Sequence, residues 1–224
     1  MKPILPDHFP FTPPLPANLA AFYKALADLF EGQGSISPAF KDELDAVLQE
    51  QQMKRLCTIL ALGDIPDRVY YLVSGTTVIF VEINRDGIIT QQAWYILEAG
   101  AFILPLHILS RKPSPVMIKL YAESCLLSIP AKAYQQLVDT YPEAGALSVR
   151  WNDRQKLIRL NDQARINSYA TPFDKILWFM TKWPDCFTRF NSTIIADYTG
   201  LSRSTVADYH ADVLKAYMRG ERNL

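Results

Sequence analysis

The spacing of apolar positions changes twice along this chain of 224 residues. Residues 18–31, NLAAFYKALADLFE, set Leu19, Phe22, Leu26, Leu29 and Phe30 on one face at helical spacing. Asn18 is the expected cap, and Gly32 and Gly34 mark the expected end. Ser37-Pro38 opens a second predicted helix that runs to about Glu50, with Phe40, Leu44, Val47 and Leu48 inward. From Met53 the period shortens. RLCTILALG, VYYLVSG, TTVIFVEI, IITQQAWYIL and VMIKLYAESCLLSIP are short runs of β-branched and aromatic residues, separated by turns at Gly63-Asp64, Ser74-Gly75, Asp86-Gly87 and Gly100. Short strands without intervening helices predict an antiparallel β-roll or barrel. After Pro130 the helical period returns in AKAYQQLVDTYP, then in a long helix from Glu143 to about Ser168, then in the apolar segment 172–184.

On the long helix Leu147, Trp151, Arg154 and Ile158 form a stripe at spacings of four, three and four. Such a stripe packs either on the chain's own roll or on the same helix of a second copy. A twofold seam of the second kind would bring the carboxyl-terminal units of two copies together as a pair.

The segment 192–215, STIIADYTGLSRSTVADYHADVLK, reads as a helix-turn-helix. Two short helices that cross steeply need a small residue at their approach, supplied by Ala196, and a tight turn, supplied by Gly200. Ile195, Leu201, Val206 and Tyr209 fall on a shared apolar seam. Ser202 is placed to cap the second helix, which Arg203, Ser204 and Thr205 open. That end is the one that meets base edges and phosphates, so Ser192, Thr193, Ser202, Arg203, Ser204 and Thr205 are the candidate DNA contacts. For Ser192 and Thr193 the alternative is capping of the first helix. An ordinary helical hairpin has the same outline as the whole unit.

Net charge is zero, but its distribution is uneven. Residues 150–224 hold 12 basic and 8 acidic side chains, and residues 1–149 hold 11 and 15. An acidic front and a modestly basic rear fit a sensor joined to a weakly salt-resistant DNA-binding unit. Cys57, Cys125 and Cys186 are too scattered for zinc or an iron–sulfur cluster, and His8 and His107 are isolated. No metal, no cofactor and no catalytic residue is expected, and an enzyme is disfavoured for want of a nucleophile–base pair or phosphate loop. Residues 1–17 are a proline-rich arm without the apolar core of a signal peptide, and no run is long enough to span a membrane, so a cytoplasmic protein is expected.

The motifs from LALGDIPDRVYYLVSGTTVIFVEINRDG to YILEAGAFI resemble the cyclic-nucleotide-binding domain. They are the Gly63-Asp64 turn, the Tyr71–Gly75 strand end, the Asp86-Gly87 hairpin and the Gly100-Ala101-Phe102 turn. With the long helix and the terminal helix-turn-helix, residues from about 35 to 215 resemble the Crp/Fnr family of bacterial transcription regulators. The resemblance implies a homodimer that senses a small molecule in its roll and binds double-stranded DNA. It implies an α+β fold: an arm over 1–17, an antiparallel β-roll sensor with amino-terminal helices over 18–141, a long dimer helix over 142–168, and a small all-α helix-turn-helix domain over 169–224. The family's nucleotide contacts are Phe-Gly-Glu and, later, Arg-Ser or Arg-Ala. This chain has Ile103-Leu104-Pro105 and Pro113-Ser114-Pro115 there, and Pro105 removes an amide donor. An effector other than cAMP or cGMP is therefore expected, in a pocket of Phe102, Leu104, Arg111, Lys112 and Ser114, unless Leu104, Leu106, Ile108 and Leu109 fill it. In the recognition helix Arg203 matches the family and can bridge guanine O6 and N7. Asp208 and Asp212 would repel phosphate, and AYMRGERNL after Lys215 carries no strand pair for a wing, although it includes Arg219 and Arg222. A same-fold sensor or interaction protein that has lost DNA binding is the alternative.

Overall fold

Polar residues rather than apolar ones start the first sheet. Gln49–Met53 (β1) has the composition of a helix end, yet it pairs antiparallel with Ser124–Pro130 (β8) from Gln49 opposite Ser128 to Met53 opposite Ser124. The preceding helix therefore stops at Val47 instead of Glu50. The side chain of Glu50 is buried inside this strand and is held by Leu15 N at 2.9 Å, Asn18 Nδ2 at 2.8 Å and Gln52 Nε2 at 3.1 Å. Its backbone exchanges two bonds with Thr12, at 3.0 and 2.8 Å, so the proline-rich arm covers an otherwise open sheet edge. The computed structural model describes residues 10–30, 36–121 and 123–220; His8, Gly32, Gly34 and Arg222 lie outside them.

Helix α1 is Pro16–Phe30 and α2 is Pro38–Val47. Ser37 caps α2, accepting from Phe40 N at 3.3 Å. Asn18 does not cap α1. The helix begins two residues earlier, and the Asn18 amide is drawn instead to the Glu50 carboxylate.

The strands that follow are Cys57–Leu60 (β2), Arg68–Ser74 (β3), Thr76–Arg85 (β4), Ile88–Glu98 (β5), Phe102–Ile103 (β6) and Val116–Leu120 (β7), before β8. They form two antiparallel four-stranded sheets, β1-β8-β3-β6 and β2-β7-β4-β5. The β4–β5 hairpin turns at Asp86-Gly87, both at positive φ, as its sequence predicts. The register of that pair slips by one residue where Ile79 faces Tyr95 and Phe80 faces Ala93, which leaves Trp94 as a bulge.

Helices α3 (Ala131–Thr140) and α4 (Pro142–Ser168) are followed by α5 (Pro172–Lys182), α6 (Cys186–Arg189), α7 (Ser192–Thr199) and α8 (Arg203–Met218). One apolar core lies inside the roll and under α1 to α4. A second gathers Ile176, Leu177, Phe179 and Met180 of α5 with Ile195 and Val206, and it packs on Val78, Ala93 and Ile96 of the β4–β5 hairpin. Each such side chain contributes about 1.5–3 kcal/mol on burial. Among the described residues no helix is long and apolar enough to cross a membrane, and no group of three or more His, Cys, Asp and Glu is placed to hold a metal. The α+β fold class read from the sequence is the one observed.

The Glu50 cluster has a pH signature. Burial alone would push this carboxyl up. The hydrogen bonds from Leu15, Asn18, Gln52 and Cys125 outweigh it and hold the group below its ordinary 4.5. A carboxyl held low when folded stabilises the fold above its unfolded value and loses that stabilisation as pH falls through its folded value. Between about pH 6 and pH 3 the melting temperature should therefore fall more steeply in the natural chain than in Glu50→Gln, as followed by circular dichroism.

Candidate nucleic-acid interface and roll cavity

The carboxyl-terminal helices meet as their small residues require. Ala196 of α7 is buried, Gly200 caps α7 in the left-handed conformation at φ 71°, and Leu201 N returns to Ala196 O at 3.0 Å. Ile195 and Val206 are buried in the seam, with Leu201 and Tyr209 packed beside them. Ser202 caps α8, accepting from Thr205 N at 3.0 Å. Its hydroxyl also bonds Ser204 Oγ at 2.8 Å and Thr205 Oγ1 at 2.7 Å, so three of the predicted contact hydroxyls form one cluster at the helix start. Arg203 and Ser204 are exposed there. Ser192 and Thr193 are half-buried in the first turn of α7 and do not cap it. Asn191 does, accepting from Ile194 N at 3.0 Å, because it is the extended residue just before the helix, whereas Ser192 and Thr193 already lie within the first turn. Asp208 and Asp212 are exposed on α8, and Asp212 meets Lys215 at 3.8 Å.

Several junction residues carry no sequence signal of their own. Asp197 on α7 accepts from Ala93 N in β5 at 3.0 Å, and Gln92 Nε2 donates to the Asp197 carbonyl at 3.2 Å. Arg189 donates to Thr76 Oγ1 at 2.5 Å and pairs with Glu98 at 3.0 Å and with Asp185. Beneath α7, Asp162 of α4 accepts from Tyr198 Oη at 2.5 Å and pairs with Lys182. Burial, and then the Asp162 charge, push the Tyr198 phenol up. Arg159, only 5% exposed, lies 4.1 Å from the Tyr198 ring centre and 5.5 Å from that of Trp94, the bulge residue. Cation–π contact stands in for the ion pair that a buried guanidinium usually takes.

A partly open cavity of about 280 Å³ lies between the roll and α4. Of the candidate effector residues, Phe102 and Leu104 line it. Arg111, Lys112 and Ser114 do not. Arg111 is exposed in a turn at positive φ, Lys112 is exposed beside it, and Ser114 is buried with its hydroxyl spent on Val116 O at 2.8 Å. His107 Nδ1 bonds Pro113 O at 2.8 Å, which closes the same turn. Leu106 also lines it while staying partly open to water, Ile108 packs into the roll core and Leu109 is exposed, so these side chains do not fill the space.

Along α4 the predicted stripe divides. Leu147 packs against the roll core and Trp151 is buried against Phe102, 5.3 Å between ring centres. Arg154 and Ile158 are exposed along a groove beside α1 and Trp183. The apolar side chains that α4 turns to solvent are Val149, Leu157 and Leu160, each about 60% exposed.

No protein-family model matches the sequence, and no curated protein matches it. Solved structures do. A cyclic nucleotide-binding domain from Methylobacillus flagellatus KT aligns at TM-score 0.56 with 16% identity, over 68% of this chain and 84% of that one. The c-di-GMP-responsive global regulator CLP of Xanthomonas campestris aligns at 0.56 with 18% identity, over 79% and 93%. A regulatory protein from Silicibacter pomeroyi DSS-3 aligns at 0.58 with 15% identity, over 88% and 89%. The fold is Crp/Fnr-like: a cyclic-nucleotide-binding-type roll, a long helix and a set of carboxyl-terminal helices.

Proposed function

We propose that this chain is a cytoplasmic, DNA-binding transcription regulator of the Crp/Fnr type that acts as a homodimer and responds to an effector other than cAMP. The observation that carries the reading is the crossing of α7 and α8 at Ala196 and Gly200, which leaves Arg203 exposed at the first turn of a helix of 16 residues. A helix presented in this way fits the major groove, with its opening residues at the base edges. Ser192 and Thr193 sit where phosphate contacts belong. The solvent-facing Val149, Leu157 and Leu160 of α4 are the surface for pairing with a second copy, together with Arg154 and Ile158 at its flank. Pairing of that kind sets two recognition helices one duplex turn apart, about 34 Å. An effector in the roll acts by biasing how the two long helices pair, and so how far apart the two α8 helices lie.

The experiment is selection from random duplexes followed by anisotropy titration. Arg203→Ala is expected to lower discrimination between selected and scrambled duplexes by about 1–3 kcal/mol, five- to 150-fold. Equal binding of the two duplexes by the unmutated protein overturns the assignment. A second reading, a same-fold sensor that does not bind DNA, is favoured by Asp208 and Asp212, which stand on the surface that would face phosphate. Failure to retain any duplex at about 50 mM salt, where backbone attraction is strong, selects it.

A further inference from the structure

The lining of the roll cavity has a chemistry that the fold alone does not dictate. One wall is aliphatic, with Ile79 and Val81 of β4 beside their cross-strand partners Ile118 and Val116 of β7. Trp94, Tyr95, Phe102 and Trp151 bring four aromatic rings to the same space. Beyond the Tyr95 phenol and the Trp94 indole of β5, the polar side chains come from α4, as Asn152, Gln155 and Lys156, and Lys156 is the one charged residue among the described residues that line it. A cyclic nucleotide placed inside would set its sugar and phosphate oxygens against hydrocarbon, with the single cation, Lys156, only at the α4 edge.

We propose that this cavity binds a compact planar aromatic carboxylate, with its ring among the four aromatic side chains and its carboxylate at the α4 edge facing Lys156, Gln155 and Asn152. Ring-on-ring packing is favoured where aromatic faces and edges converge. At about 280 Å³ the space lies near the lower end of small-molecule pockets, roughly 300–1,000 Å³, which suits one or two fused rings. The Lys156 ammonium is held only loosely, by a 3.8 Å contact to Asp153 in which both side chains are 68% exposed, so it is available to an incoming anion. The inference deepens the regulator reading by giving its effector a chemical class, and rests on that reading only for the link from binding to DNA.

The test is calorimetric titration of the full chain with 2-naphthoate, 2-naphthylmethanol, 2-naphthylmethylammonium and cAMP. Naphthoate binds, the alcohol binds about two- to five-fold more weakly, the ammonium more weakly still, and cAMP gives no heat. Lys156→Glu reverses the order of acid and ammonium. Val116→Trp, which fills the cavity from β7, abolishes binding of every naphthyl probe while the thermal melt stays cooperative. Val81→Phe, at a less buried position, serves the same purpose should Val116→Trp fail to fold. Absence of naphthoate binding at about 1 mM, equal affinity for acid and alcohol, or binding that survives both filled variants overturns the proposal. Duplex binding measured on the same preparation separates the two ideas. DNA binding without naphthoate binding removes only this inference, and naphthoate binding without DNA binding removes only the regulator.

Discussion

Replacement of Asp162 by alanine is expected to destabilise the protein by about 3–5 kcal/mol, the cost of leaving buried charge without its partner. The carboxylate is the common acceptor for Tyr198 and Lys182, and it lies on the same helix as Arg159, whose guanidinium is buried without an ion pair. Alanine would strand a phenol and an ammonium. Asp162→Asn keeps an acceptor for the phenol and loses the charge, so it should cost less than alanine. Urea unfolding followed by far-ultraviolet dichroism and by tryptophan fluorescence checks both variants. Trp178 and Trp183 report on the carboxyl-terminal cluster, and the two probes should separate in Asp162→Ala if that cluster loosens first. Coincident transitions with a loss below about 1 kcal/mol would show that the pair contributes no more than a surface bridge.

Gly75→Ala should have an effect of similar size from a different cause. Gly75 sits at φ 97°, and a Cβ added there would lie 2.0 Å from Ser124 Oγ and 2.7 Å from Ser124 Cα. The second contact is backbone, so no rotation of a side chain relieves it. Conformational strain of about 1–3 kcal/mol then adds to the separation of β8 from the β3–β4 turn. Gly63 has a similar φ of 80° with nothing within 4 Å of its Cβ position, so Gly63→Ala should cost only the backbone strain. Thermal melts of the two variants side by side isolate the steric part. Equal losses would remove the close approach as the explanation.

Elements were legible in the sequence where a residue type does one physical job. Gly200 and Ser202 mark a left-handed turn and a helix start, and both do so in the structure. Asp86-Gly87 marks a hairpin for the same reason. Strand β1 was not legible, because QEQQM carries no alternation of apolar and polar residues and its buried Glu50 is satisfied by partners from the arm and α1. Burial of Arg159 and Asp162 is not legible, since sequence alone does not reveal that α5 and α7 pack over them. At the roll, Phe102 and Leu104 follow from the turn that precedes them, whereas Arg111 and Lys112 drew notice only by their charge and face water. The stripe on α4 was real as a pattern but half of it serves the roll, and the positions turned to solvent lie on another face of the helix.

The bond from Ala93 N to Asp197 has a mechanical corollary. The β4–β5 ribbon and α7 are fastened at that point, and α7 is joined to α8 by the three residues Gly200, Leu201 and Ser202, the first of them left-handed. A path of direct contacts thus runs from the ribbon through α7 to the helix that carries Arg203, alongside the long helix rather than through it.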